Sequence, residues 1–255
     1  MRLLATRRQS GRIEQGPSGP GRPVARPEHR DVAFFQYRQL RSGDLINVTI
    51  QNLSRLGAAG VALFAVSVVV MHAVQPELSP NDMAISYYLN GRLGGVLSAG
   101  LISLGIGSLS LAVALRRRLS DTGAGAGVWL LGLWGVGCII GGVFPPDPPG
   151  HWDEPPSVAG MIHGGAAMVA FVAFPIAAWL LSRKVTTLAQ RSIAHRPLAL
   201  LCACALVVFF VCLAPAFANR PPYALGLVER ILVALYAAWL VAVSGSIGAR
   251  TGRAS

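Results

Sequence analysis

Residues 160–181 read GMIHGGAAMVAFVAFPIAAWLL, a run without a single Asp, Glu, Lys or Arg. A helix needs about 20 mostly apolar residues to cross a hydrocarbon layer of about 30 Å. Lipid offers no partner for backbone amides, so a run of this length and apolarity has to be helical. Five further runs of the same kind flank it, at 56–74, 94–115, 127–144, 198–217 and 227–248. All are free of charge except the last, which carries Glu229 and Arg230 near its start. Over the 255 residues, 53% are hydrophobic, 13% are charged and the mean hydropathy is +0.53, which is too apolar for an ordinary soluble domain. The expectation is an all-α integral membrane bundle of six transmembrane helices occupying 56–248.

The net charge of +11 and the pI near 10.7 would suit nucleic acid, but the distribution of charge follows topology instead. Of the 22 Lys and Arg, all but Arg92, Arg220 and Arg230 fall before the first span, in the run Arg116–Arg118, between spans four and five, or after the last span. Basic residues collect on the cytoplasmic side, so both termini are expected there, as an even number of spans requires. The clusters answer to orientation and to anionic lipid heads. The bilayer is therefore the expected partner, and nucleic acid is not. Lys184 is the one lysine among many arginines, as in chains from GC-rich bacterial genomes, and the expected location is a bacterial inner membrane.

Residues 1–30 are rich in Arg, Pro and Gly without apolar periodicity and are expected to form a disordered cytoplasmic tail. Within 31–55, Phe34, Phe35, Tyr37, Leu40 and Leu45 alternate with Arg and Gln, the pattern of an interfacial helix. Residues 249–255 form a short cytoplasmic tail. Cys138, Cys202, Cys204 and Cys212 all lie in spans, with no His or acidic residue at metal-ligand spacing, and read as packing residues. Glycines four apart, such as Gly137 and Gly141, favour close packing within the bundle over a dimer motif and specify no oligomeric state.

Chemistry is expected at the exterior ends of the spans. The loop Phe144-Pro-Pro-Asp147-Pro-Pro-Gly150 sets four prolines around one aspartate, which stiffens the backbone and removes amide donors. His163 follows about one turn inside the fourth span. Arg92, Glu229 and Arg230 lie at a similar depth. Ionisable residues in a span are costly and are kept where they pair or serve a site. Asp147, His163, Glu229, Arg92 and Arg230 are therefore the candidate ligand-binding cluster, with His163, Asp147 and Glu229 as candidate catalytic groups. The plainer alternative is a structural tie, with Glu229 paired to a base such as Arg92 and His163 donating to a loop carbonyl. His72, His151 and His163 with Asp147 are the one imaginable metal set. No HExxH or HxxxH accompanies them, nor a convincing haem pair, so no metal and no cofactor are expected.

Three signatures recur in a fixed order: Ile85-Ser-Tyr-Tyr-Leu-Asn-Gly91 leading into a glycine-rich span that ends at Arg116–Arg118, the Asp147 loop followed by His163-Gly164, and Gly226-Leu-Val-Glu229-Arg230 opening the last span. Together they make the chain resemble the bacterial membrane-protein family labelled domain of unknown function 998, over about 56–248. The resemblance implies six helices and supports Asp147, His163, Glu229 and Arg230 as the residues of interest, while bringing no activity. Three functional readings follow. The first is a binder or transporter of a lipid or amphipathic molecule at an outward polar cluster. The second is a membrane-embedded enzyme using His163 with Asp147 or Glu229 as acid and base and Arg230 or Arg92 as anion clamp. The third is a structural subunit without a small-molecule site.

Overall fold

The computed structural model describes residues 29–120, 123–150, 154–188, 195–218, 220 and 222–248, with side chains described outside 29–45, 186–188, 217 and 218. The helices are α1 (His29–Val74), α2 (Gly94–Arg118), α3 (Gly125–Val143), α4 (Val158–Leu188), α5 (His195–Leu213) and α6 (Leu225–Gly248). Two 3-10 turns, Ile85–Asn90 and Ala214–Ala218, precede α2 and follow α5, and there is no strand among the described residues. The chain divides into two units, Met1–Gly43 and Asp44–Ser255, and the bundle lies in the second. The tail expected over 1–30 falls almost wholly outside the described residues.

Six helices are long and apolar enough to cross a membrane. In the first, the side chains described from Ile46 to Val74 make a stretch that includes the span expected at 56–74, and the helix shows no break between 55 and 56. Arg55 is the one charge in that stretch, and it is exposed, where a long side chain can carry its head toward the interface. Large apolar side chains point outward all round: Trp129 is 76% exposed, Val69 70% and Val211 66%. A water-soluble protein rarely shows so continuous an apolar surface, and a lipid-facing one requires it. This is a multi-pass membrane protein.

Small residues set the close approaches. A Cβ on Gly107 would stand 3.1 Å from the Gly60 Cα, which joins α1 to α2, and one on Gly137 would meet the Ala170 Cβ at 2.5 Å, which joins α3 to α4. At mid-bundle the packing is aromatic. Phe174 and Tyr236 stack with centroids 4.0 Å apart, and Trp134 lies edge-on to both, at 5.0 and 5.3 Å. Pro175 interrupts α4 there and leaves the carbonyl four residues earlier, on Phe171, without its amide. The Tyr236 hydroxyl donates to that carbonyl at 2.9 Å. Alternation of the helices brings the connections 75–93, 144–157 and 214–224 to one end of the bundle, and that end carries the polar side chains considered next.

Candidate functional site

The loop end is built on two helix starts. Ser157 caps α4: its Oγ accepts the Gly160 amide at 3.0 Å, and its carbonyl takes the first helical bond, from Met161 at 2.8 Å. The Asp147 carboxylate sits over the same terminus, with Oδ2 accepting the Ser157 amide at 3.1 Å. A Cβ on Gly160 would fall onto that carboxylate, so glycine is what lets the loop close on the helix. The negative charge meets the partly positive helix end. Asn90 ties the first 3-10 turn to the proline loop, its amide donating to the Pro146 carbonyl at 2.9 Å.

The start of α6 is held by the two neighbours Glu229 and Arg230, which do different work. Glu229 Oε2 accepts the Ile85 amide at 2.6 Å and so caps the 3-10 turn. Arg230 turns the other way. Its Nη1 donates to the carbonyls of Pro80, Met83 and Gly226 at 2.9, 2.8 and 2.9 Å. Its Nε donates to His72 Nε2 at 3.1 Å, and its Nη2 to the Tyr88 hydroxyl at 3.3 Å, with the guanidinium 5.8 Å from the Tyr88 ring centre. His72 Nδ1 donates to the Val68 carbonyl at 2.7 Å, which leaves Nε2 as the acceptor Arg230 needs.

Between these helix starts lies a cavity of about 900 Å³. Pro148, Glu154, Pro155 and Pro156 line it and are exposed, which sets its mouth at the loop end. Just inside are Asp147, Ser157, Tyr87, His163 and Glu229, and deeper still Trp134, Cys138, Met168, Phe171, Phe209 and Val233. From Ser157 to Phe171 the wall follows α4 for about 21 Å, at about 1.5 Å per residue. The pocket is thus polar at one end and apolar over the rest of its depth, the general character of a small-molecule site. His163 Nδ1 donates to the Phe144 carbonyl at 2.7 Å, which leaves Nε2 as an acceptor. Burial first, then the carboxylates of Glu229 and Asp147, pushes the Tyr87 phenol up to about 12, so it remains a neutral hydroxyl.

Of the five residues marked by the sequence, Asp147, His163 and Glu229 line the cavity, while Arg92 and Arg230 do not. Arg92 is exposed, and its carbonyl accepts from Gln75 Nε2 at 2.9 Å. The Glu229–Arg92 tie is not among the contacts Glu229 makes, whereas His163 does donate to a loop carbonyl. His151 lies outside the described residues. Sequence reasoning missed Ser157 and Tyr87 as members of the mouth. A serine just before an apolar run is a readable cap signal, but nothing in sequence says which aromatic of a connecting turn faces a cavity.

A family model described as "Protein of unknown function (DUF998)" matches residues 58–246. The chain belongs to the DUF998 family. The match covers all but the first residues of the α1 span and the last of α6, so all three elements of the mouth lie inside the DUF998 region. No curated protein and no solved structure shows detectable similarity to this DUF998 chain.

Proposed function

We propose that this chain is a bacterial inner-membrane protein that binds or moves a lipid or another amphipathic molecule, held in the bundle cavity with its head among Asp147, His163 and Glu229. The observation that carries the reading is the cavity of about 900 Å³, open among the loops, polar at its mouth and apolar down to Phe171. A chain-bearing molecule matches both ends at once. The charge distribution along the sequence supports both termini in the cytoplasm and the mouth on the exterior face. A purely structural subunit would have no reason to keep such a space, since an unfilled cavity forfeits packing. The acid/base alternative draws less support, because His163 is oriented by the Phe144 carbonyl, while Asp147 and Glu229 accept from the backbone amides of Ser157 and Ile85.

Gly164 provides the test. It lines the cavity, and a Cβ built on it meets nothing within 4 Å, so a larger side chain can enter the space without moving backbone. Native mass spectrometry of the full chain extracted in mild detergent is expected to detect a bound amphiphile that is lost in Gly164→Leu, with the melting temperature level or higher, since leucine is the better helix former by up to about 1 kcal/mol. A parent protein that carries no adduct, or one whose adduct survives Gly164→Leu, would count against this cavity as the site.

A further inference from the structure

Among the described residues, the side chains that carry a full charge on the cavity wall are all acidic. Among the described residues its ionisable carboxyls are Asp147, Glu154 and Glu229, and no Lys or Arg lines it. We propose that the head group taken here is a protonated amine, so that the cavity accepts a single-chain cationic amphiphile with Glu229 as its main contact. The inference rests on the amphiphile reading above and specifies the chemistry of the head.

Glu229 makes the stronger half of the case. It is 7% exposed, and only Oε2 is hydrogen-bonded, to the Ile85 amide. Among the described residues Oε1 has no hydrogen-bond partner, and Glu229 lines the cavity. A carboxylate drawn out of water costs several kcal/mol unless its remaining lone pairs and its charge are met. The adjacent base does not hydrogen-bond it, because the Arg230 donors go to Pro80, Met83, Gly226, His72 and Tyr88. A cation with N–H donors would meet both needs. His163 Nε2, an acceptor by its tautomer, suits a donor head as well.

The membrane setting makes the head decisive. Moving an alkyl chain from the bilayer into an apolar cavity gains little, since lipid tails are as apolar as leucine. Selectivity therefore falls on the polar end. An anionic head would meet the carboxyls of Asp147 and Glu229, and a neutral alcohol could hydrogen-bond Glu229 but would bring no charge to add to that of the adjacent Arg230.

The experiment measures binding to the full chain in zwitterionic nanodiscs, by thermal unfolding with dodecylamine, dodecanol and dodecanoate at equal submicellar concentrations. Dodecylamine is expected to bind about tenfold more tightly than dodecanol, the scale of one charge-assisted hydrogen bond, with dodecanoate weakest. Glu229→Gln retains an oxygen for the Ile85 amide and should erase most of the amine preference, weakening dodecylamine binding far more than dodecanol binding. Asp147→Asn, which does not touch α6, should reduce the preference less and serves if Glu229→Gln does not fold. Dodecanoate binding as tightly as dodecylamine, or an amine preference that survives both substitutions, overturns the cationic head and leaves the amphiphile reading intact. No stabilisation by any of the three, or the same stabilisation in Gly164→Leu, overturns both.

Discussion

Tyr236 donates its only proton to the Phe171 carbonyl, the group Pro175 deprives of its normal amide. In lipid no water can replace that bond, so an orphaned carbonyl there should cost about 1–3 kcal/mol. Tyr236→Phe is expected to lower the melting temperature by about 2–4 °C for each kcal/mol lost. Pro175→Ala returns an amide to the ladder, and in that background Tyr236→Phe should be nearly neutral. A cycle of the two substitutions measured by thermal unfolding decides it. Strictly additive losses would mean that the tyrosine acts through its ring, stacked on Phe174, rather than through its hydroxyl. The proline was visible in the quoted run of α4, but the partner that makes it tolerable sits 61 residues later, between Pro175 and Tyr236 in sequence, and no local pattern announces it. The same scale explains Arg230. Adjacent helical residues point about 100° apart at 3.6 residues per turn, and the donors of Arg230 are drawn to Pro80, Met83, Gly226, His72 and Tyr88, away from the cavity that Glu229 lines. Equal depth was legible in the sequence; side-chain direction was not, and it divided the expected cluster.

At the scale of the element, α4 depends on its first turn. Ser157 and Asp147 satisfy amides that a helix start leaves open, and Gly160 keeps the space that the carboxylate occupies. Asp147→Ala should cost about 1 kcal/mol, the usual worth of a cap with its helix-end charge. Gly160→Ala should cost at least as much, because its Cβ displaces the same carboxylate. The double variant should melt no lower than the worse single one, since both remove one contact. If the losses add in thermal unfolding, the glycine serves something other than Asp147. The six spans were readable because the bilayer forces every crossing helix into a long apolar run, and the proline loop stood out because four prolines fix its backbone. What could not be read was the continuity of α1 ahead of 56, where Asn, Gln and Arg55 dilute the apolar pattern without breaking the helix.

For the whole molecule, the remaining question is which way the cavity faces. Arg116, Arg117 and Arg118 close α2, and Arg183 and Lys184 lie near the end of α4, both at the bundle end opposite the mouth. The mouth end carries acidic lining residues instead. Translocation retains short basic segments in the cytoplasm, whereas acidic ones influence it little, so this asymmetry predicts an exterior mouth. A fluorescent protein that matures only in the cytoplasm, fused after Ser255, should be bright. A single thiol at Pro149, introduced after replacing the four native cysteines, should react in intact cells with a membrane-impermeant maleimide, and one at Ser120 should not. The opposite labelling pattern with a dark fusion would turn the bundle over. The carboxyls of Asp147, Glu154 and Glu229 would then face the cytoplasm, and any amphiphile they hold would be drawn from the inner leaflet rather than the outer.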